Sequence, residues 1–229
     1  MRVEIWGDVV CPWCYIGTAR FERALADFEH RERVEVVHRS FELDPSREPG
    51  QTEPVTDLLA RRYGPQAVEM EQRVAGIAAA ENLPYRSERL MGSTLDAHRL
   101  LQLAKERGVQ HRLLDVLYEA NFGRGENVFD HAELLRLAGA AGLDPAEAQR
   151  VLDDPTAYRD AVHADQRAAA QLGANGVPFF VLDGRYGVSG GQPVEVFAEA
   201  LRQAWGDRPV LDTLGGPADG AVCGPDTAC

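Results

Sequence analysis

The chain has 229 residues, 45% of them hydrophobic, so it is long and apolar enough to fold around a substantial core. Its formal net charge is −12 and it carries no run of Lys and Arg, which argues against a nucleic-acid partner or an anionic membrane surface. No stretch approaches the roughly eighteen consecutive apolar residues of a transmembrane helix, so we expect no membrane partner.

The amino terminus passes directly into the alternating sequence of residues 3–6, without the basic and apolar regions of a secretory leader. As written, the chain is expected to be cytoplasmic. Four cysteines are too few for a scaffold stapled by disulfides, and a reducing compartment would not keep structural bridges oxidised. They occur as two pairs, Cys11 with Cys14 near the amino terminus and Cys223 with Cys229 near the carboxyl terminus.

The first part of the chain predicts a β-α-β unit. Residues 3–7 alternate like a strand, and a helical periodicity follows, with apolar residues near one face at Trp13, Ile16, Phe21, Leu25 and Phe28. Pro12 suits the first turn of that helix because it has no N–H to leave unpaired, so Cys11 is expected at or next to the N-cap. Residues 33–43 are rich in β-branched and aromatic side chains and predict a second strand, parallel to the first through a right-handed crossover.

A helical block is predicted from residue 55 to residue 173, after a proline-rich linker at 44–54. Helices are expected at 95–105, 112–122 and 155–172, and in two segments on either side of Gly64-Pro65. Gly123 is expected to cap the end of the helix before it. Asp130 and Asp144 each precede a glutamate by three residues, which is the pattern of a capping box.

Strand signals return at Pro178. Residues 178–182 and 185–189 flank Asp183-Gly184, a strong hairpin signal, so these two strands should be antiparallel. Pro193 then opens a final helix. The element order is β-α-β, helical block, β-β-α, followed from about residue 207 by a tail rich in Gly, Pro and Asp.

The spacing of Cys11 and Cys14 is typical of a dithiol that exchanges disulfides. A thiol reacts as its thiolate, and a helix N-terminus lowers a cysteine pKa through its unpaired N–H groups and dipole. Cys11 would be the exposed attacking thiolate, and Cys14, one turn further, would be a shielded thiol within bridging distance. Two alternatives stay open, half of a zinc site and two inert buried cysteines. Zinc needs four ligands and no nearby motif supplies the rest, so we expect no metal.

The motifs together resemble those of the cytoplasmic DsbA-like thiol–disulfide oxidoreductases of the FrnE type. The resemblance covers residues 1–206 and is carried by three stretches, Asp8-x-x-Cys11-Pro12-Trp13-Cys14, Gly176-Val177-Pro178-Phe179-Phe180 and Gly187-Val188-Ser189-Gly190-Gly191-Gln192. It implies an α/β thioredoxin fold interrupted by an inserted all-helical domain. Residues 1–54 and 174–206 would form the thioredoxin-like domain, 55–173 the insertion, and 207–229 a flexible tail.

The resemblance also implies roles for individual residues. Cys11 would be the nucleophile and Cys14 the resolving thiol, while Pro12 and Trp13 between them tune the redox potential. Pro178 would be a cis-proline facing the dithiol, whereas without the fold argument a trans proline at the start of a strand is the simpler interpretation. Val177 would offer its backbone to an extended substrate strand.

A sister group, the kappa-class glutathione transferases and the 2-hydroxychromene-2-carboxylate isomerases, shares this architecture and resembles the chain at Ser93-Thr94-Leu95-Asp96-Ala97-His98-Arg99. Those proteins typically carry serine at the strand–helix junction, so the intact cysteine pair favours dithiol exchange. A glutathione-dependent isomerase or transferase and a non-catalytic peptide-binding module remain alternatives. No bound cofactor is expected, although glutathione could serve as co-substrate. The expected partners are protein or small-molecule thiols and disulfides, and a homodimer is compatible with the sequence.

Four further residues have two interpretations each. His98 could line the active-site groove or modulate a thiolate, or it could be a packing residue on an apolar helix. Asp8 could assist proton transfer at Cys14 if buried, or it could cap the helix region. Cys223 and Cys229 could form a second redox pair that relays electrons to the first, or be two incidental thiols. The direction of net electron flow is left open.

Overall fold

The structure, a computed structural model, describes residues 1–208. Its strands are β1 Arg2–Gly7, β2 Glu35–Ser40, β3 Glu53–Pro54, β4 Leu90–Met91, β5 Phe179–Leu182 and β6 Tyr186–Ser189. Its α-helices are α1 Pro12–Ala26, α2 Val55–Tyr63, α3 Gln66–Ala80, α4 Leu95–Glu106, α5 Gln110–Tyr118, α6 His131–Ala140, α7 Pro145–Asp153, α8 Arg159–Gln171 and α9 Val194–Gly206. Within this part of the chain, no helix is long and apolar enough to cross a bilayer.

Four strands form one mixed sheet in the order β2-β1-β5-β6. Strand β1 is parallel to β2, with Val3 opposite Val36, and antiparallel to β5, with Ile5 opposite Phe180. Strand β6 is antiparallel to β5 across the turn at Asp183-Gly184, where both residues have positive φ. The parallel pair, the hairpin and the thioredoxin-like α/β class are therefore confirmed.

The first face of the sheet is covered by α1 and α9. Their apolar side chains meet those of β1 and β5 in a core that contains Val3, Ile5, Phe21, Phe180, Phe197 and Leu201. The rings of Phe180 and Phe197 pack edge to face with centroids 4.6 Å apart, which adds a specific geometry to the burial of apolar area. This core fixes α1, and with it the cysteine motif, on the sheet.

The second face is covered by α8. Trp6 of β1 packs against Ala169 of α8 and Val181 of β5, and its indole N–H donates to the carbonyl oxygen of Asp165 at 2.8 Å. The carboxylate of Asp165 accepts the backbone N–H of Ser40 at 3.0 Å. Because this buried carboxylate pairs with a backbone N–H at the end of β2, it connects α8 to that strand.

Helices α4 to α7 pack around a separate apolar core, which contains Leu100, Leu113, Leu117, Phe122, Leu134 and Leu137. Arg99 of α4 is buried and its guanidinium pairs with Asp96 at 2.5 Å. The same group donates to the carbonyl oxygen of Ala157 at 2.7 Å and to those of Val151 and Asp154. Arg99 therefore joins α4 to the connection between α7 and α8.

Three predictions for the helical block require correction. The helix before Gly123 does not end there, because α5 continues as a π-helical turn over Glu119–Arg124 and stops at Gly125, whose φ is 69°. The last helix begins at Arg159 rather than at residue 155, since Asp154 and the residues after it form a turn. Residues 90–91 form a short strand, so the block is not wholly helical.

Each of the two predicted capping boxes forms only one of its two reciprocal hydrogen bonds. Asp130 and Asp144 accept the backbone N–H groups of the glutamates three residues later, at 3.0 and 2.9 Å. The side chains of those glutamates do not return to the cap. They bind arginines instead, one at Arg136 and the other at Arg107, because a guanidinium offers a stronger charge-assisted hydrogen bond.

Candidate active site

The two cysteines lie where β1 passes into α1. Cys11 is the N-cap of the helix, with extended backbone at φ −84° and ψ 114°, and Pro12 occupies the first helical position. The carbonyl oxygen of Cys11 accepts the N–H of Cys14 at 3.0 Å and that of Tyr15 at 3.2 Å. The predicted position of Cys11 at the start of the helix is confirmed.

Both thiols are free and buried. Cys14 is 1% exposed, as its place one turn into the helix suggested, but Cys11 is only 4% exposed, so the expectation of an exposed attacking thiol is wrong. The cause is the segment before β5, which lies over the helix start and brings the carbonyl oxygen of Val177 to 3.7 Å from the sulfur of Cys11. This segment therefore lies against the sulfur of Cys11.

Trp13 also departs from its predicted place. It is 37% exposed and does not share the buried face of α1 with Ile16 and Phe21. Trp13 lies in the first turn of α1, between the two cysteines in sequence. Its ring and its carbonyl oxygen lie against Gly191.

The thiol of Cys14 is held in its protonated form. Burial raises its pKa well above the ordinary value of 9.0. The hydrogen bond of Cys14 with Cys11 and the proximity of that sulfur raise the pKa further, and the negative charge of Asp8 adds to the effect, while a backbone N–H of Asp8 opposes it. The pair thus has a built-in asymmetry, in which Cys14 keeps its proton next to the sulfur of Cys11.

Pro178 faces the motif from the opposite element. The Val177–Pro178 peptide bond is cis, and the carbonyl oxygen of Pro178 accepts the N–H of Gly190 at 2.8 Å. An open cavity of about 510 Å³ runs along residues 173–179 and is closed on its other side by Ser189 and Gly190. The backbone around Val177 therefore borders both the cavity and the sulfur of Cys11.

Asp8 and His98 meet behind the cysteines. Both side chains are buried, and Oδ1 of Asp8 lies 3.3 Å from Nε2 of His98, although the two atoms form no hydrogen bond. The other carboxylate oxygen of Asp8 accepts the backbone N–H of Leu43 at 2.7 Å. His98 does not line the cavity at residues 173–179. It borders, together with Cys14, a small internal cavity of about 10 Å³. The structure thus brings Asp8, His98 and Cys14 together.

Two further titratable residues, Glu42 and Tyr118, lie near Asp8, His98 and Cys14 and were not predicted from the sequence. Glu42 is buried, and burial raises its pKa, with the charge of His98 opposing the shift. It follows β2, and since parallel strands end at the same edge of a sheet, its nearness to Asp8 could have been anticipated. Tyr118 is also buried, and burial followed by the nearness of Cys14 raises the pKa of its hydroxyl. Nothing in the periodicity of its helix distinguishes Tyr118 from a core residue.

The other predicted pair, Cys223 and Cys229, lies outside the described residues.

This geometry has counterparts among known proteins. The sequence profile of the DSBA-like thioredoxin domain matches residues 2–202. The crystal structure of a probable DsbA oxidoreductase from Streptomyces coelicolor is 56% identical, covers 98% of this chain and 100% of its own, and superposes with a TM-score of 0.89. YwbO of Bacillus subtilis strain 168, an uncharacterized protein, is 28% identical over 202 residues, which are 88% of this chain and 96% of YwbO.

A more distant counterpart shares the fold. The cytosolic disulfide reductase DsbM from Pseudomonas aeruginosa, solved with glutathione, is 19% identical, covers 89% of this chain and 98% of its own, and has a TM-score of 0.62.

Proposed function

The chain belongs to the family of the DSBA-like thioredoxin domain, and we propose that it is a thiol–disulfide oxidoreductase acting by dithiol exchange through Cys11 and Cys14. The observation that carries the proposal is the asymmetry of the pair, with Cys11 at the N-cap of α1 and the protonated thiol of Cys14 beside it. The family membership confirms the resemblance found in the motifs. The chemistry uses the chain's own sulfur atoms and requires no bound cofactor.

In the reducing direction, the thiolate of Cys11 attacks one sulfur of a substrate disulfide. The substrate S–S bond breaks, a mixed disulfide forms at Cys11, and the departing substrate sulfur takes up a proton. Cys14 then loses its proton and attacks the sulfur of Cys11, which releases the second substrate thiol and leaves a Cys11–Cys14 disulfide. The substrate is reduced by two electrons and the dithiol is oxidised. The oxidising direction is the reverse of these steps.

Cys14 must give up its proton before it can attack. Asp8 is the buried carboxylate nearest in the chain to the motif, and we propose that it accepts that proton, with His98 at 3.3 Å sharing the charge. Burial of both groups keeps the transfer away from bulk water. Pro12 and Trp13 complete the proposal as the residues between the thiols that set the redox potential.

The substrate side of the site is the backbone at Val177 and Pro178. An extended segment placed in the adjoining cavity can pair with this backbone as an added strand, with its sulfur directed at Cys11. We therefore propose protein and small-molecule disulfides as substrates, glutathione as a co-substrate and the cytoplasm as the compartment. Cysteine at position 11, where the kappa-type relatives typically carry serine, favours exchange over glutathione-dependent isomerisation.

We also propose the domain division expected from the sequence. Residues 1–54 and 174–206 hold the four-stranded sheet, α1 and α9, while 55–173 hold α2 to α8. Helix α8, at the end of the second segment, covers the sheet and so connects the two parts.

Cys223 and Cys229 are proposed as a second pair that passes electrons to Cys11 and Cys14. The prediction is tested by replacing both with serine and comparing turnover with a protein reductant and with a small dithiol. Slower turnover with the protein reductant alone supports a relay, and unchanged turnover with both contradicts it.

The proposed reaction is tested by insulin reduction and by trapping of mixed disulfides. Wild type should reduce insulin, Cys11→Ser should be inactive, and Cys14→Ser should accumulate mixed disulfides through Cys11. Circular dichroism of each variant checks that it is folded. A wild type that binds peptides but reduces no disulfide would instead indicate a binding module. Mixed disulfides that accumulate through Cys14 in Cys11→Ser, but not through Cys11 in Cys14→Ser, would reverse the assigned roles.

A further inference from the structure

Glu22 of α1 meets His111 and Asp115 of α5 at the surface of the protein. We propose that these three residues form a binding site for a divalent transition-metal ion, with zinc as the best-fitting ion. One donor atom from each residue can be chosen so that all three lie within 4.8 Å of one another. Nε2 of His111 lies 3.5 Å from Oε1 of Glu22 and 3.5 Å from Oδ2 of Asp115.

These separations match the edges of a zinc coordination tetrahedron. Zinc binds imidazole nitrogen and carboxylate oxygen at about 2.0–2.2 Å, so two ligand atoms on a tetrahedral ion are about 3.3–3.6 Å apart. Both distances from His111 fall in that range. Three protein ligands with one open position for water is a common zinc arrangement, and imidazole with carboxylates favours zinc over magnesium or calcium.

The helix backbone of α5 places two of the ligands at a spacing that can chelate one ion. His111 and Asp115 are four residues apart on α5, so their side chains project from the same face one turn apart. Glu22 closes the site from α1. Beside it is a cavity of about 140 Å³, bordered by Glu22, Asp115 and Glu119, which gives an ion and its water ligands access from solvent.

A second observation, independent of the carboxylates, concerns the orientation of His111. Nδ1 of His111 lies 3.3 Å from Nε2 of His38, which is buried. Gln110 holds the backbone of His38 from both sides, accepting its N–H at 3.1 Å and donating to its carbonyl oxygen at 2.9 Å. Histidine ligands of metals usually bond a second group through the other ring nitrogen, which fixes the ring. His38 fixes His111 so that Nε2 points at Glu22 and Asp115.

The two carboxylates of the cluster have one potential cation beside them among the described residues, the imidazole of His111. Among residues 1–208, neither Glu22 nor Asp115 has a Lys or Arg within ion-pair distance, and they share the one imidazole of His111. Oε1 of Glu22 is shielded from solvent and has no hydrogen-bond partner there. A comparable pair elsewhere is balanced, since Asp96 contacts both His131 at 2.8 Å and Arg99. A divalent cation would neutralise the carboxylates of Glu22 and Asp115, whereas the carboxylate of Asp96 is already paired with Arg99.

No metal was expected from the sequence because no motif near Cys11 and Cys14 supplies the remaining zinc ligands. Glu22 comes from a separate helix, and no linear spacing links it to His111.

Zinc titration of the full-length chain tests the proposal. All four cysteines are first replaced by serine, so that thiols cannot bind the ion, and heat is measured by calorimetry as zinc sulfate is added. We expect one zinc ion per chain, and at least a 100-fold loss of affinity in His111→Gln. His38→Gln should weaken binding about 10- to 100-fold, as loss of an orienting partner does.

His131→Gln is the matched control, because His131 also faces a carboxylate and is exposed, and it should bind zinc like the parent. Thermal unfolding checks that each variant is folded, and Asp115→Asn provides a second ligand variant if His111→Gln is not. Cobalt absorption supplies a spectroscopic check, since a site with protein ligands gives visible bands that the ligand variants lose. No stoichiometric zinc binding, or equal affinity in parent, His111→Gln and Asp115→Asn, would overturn the proposal.

Discussion

Gly17 of α1 and Pro178 ahead of β5 touch, with no space between them for an added methyl group. A Cβ atom at Gly17 would lie 3.0 Å from Cγ of Pro178 and 3.0 Å from Cα of Gly191. The neighbours on this side are a proline ring and backbone, which cannot rotate away. The absence of a side chain at Gly17 thus allows the segment that faces the cysteines to lie against their helix.

Gly17→Ala is expected to destabilise the protein by about 1–3 kcal/mol, because the added methyl group must displace that segment. Exchange activity should fall as well, since Val177 moves with Pro178. Gly76→Ala is the matched control, because Gly76 is in the middle of α3 with no atom within 4 Å of the added carbon. It should gain about 0.5–1 kcal/mol from helix propensity. Urea denaturation measures both, and equal stability of the two variants would refute the packing argument.

Asp8→Asn is expected to lower the pKa of Cys14. Burial is the main cause of the raised pKa and Cys11 the next, but the negative charge of Asp8 adds to it, and the amide keeps the side chain without the charge. Thiolate absorbance against pH, in a variant whose other three cysteines are serine, measures the change. Asp44→Asn, at a solvent-exposed carboxylate, should leave the titration unchanged. A higher pKa of Cys14 in Asp8→Asn would contradict the assigned electrostatics.

Local features of this fold were readable from the sequence. Pro12 placed Cys11 at the helix N-cap, and Asp183-Gly184 marked the hairpin, because both depend on the backbone preferences of adjacent residues. The pairing of β1 with β2 followed from the handedness of a β-α-β crossover.

Features that depend on distant residues were not readable. Cys11 is buried by a segment 166 residues later in the chain, and no local pattern records that contact. The meeting of Glu42 with His98, and that of Tyr118 with Cys14, depends on how α4 and α5 pack against the rest of the fold. The π-helical turn at 119–124 has no periodicity that separates it from a continuing α-helix.

The reduced protein should lose stability at alkaline pH. Because the pKa of Cys14 is raised in the folded state, the folded chain holds this proton more tightly than the unfolded chain does. The contribution is fully present below about pH 9 and decreases as pH rises toward the folded-state pKa. The free energy of unfolding between pH 8 and pH 10 should fall more steeply for wild type than for Cys14→Ala. Parallel slopes would show that the buried thiol is not shifted.

The stability of the protein at acid pH depends on His38. Burial lowers the pKa of His38 to about 3, and the charge of His111 contributes to the shift as the second cause. The folded state therefore binds this proton less tightly than the unfolded state does. The contribution of His38 to the free energy of unfolding is fully present above about pH 6.5 and is lost as the pH falls toward 3, by up to about 1.4 kcal/mol per pH unit. His38→Gln should flatten the slope between pH 6 and pH 4, whereas His131→Gln should not. A wild-type slope in His38→Gln would exclude His38 as its source.

The central claim is that Cys11 and Cys14 form a reversible two-electron couple, and equilibration in glutathione redox buffers tests it most directly. Thiols are trapped with an alkylating mass label at each buffer ratio, and the peptides that contain Cys11 and Cys14 are quantified by mass spectrometry. We predict one transition between a doubly labelled dithiol and an unlabelled, disulfide-linked peptide, lost in Cys11→Ser and in Cys14→Ser. If both cysteines stay labelled at every buffer ratio, the proposed dithiol exchange is wrong.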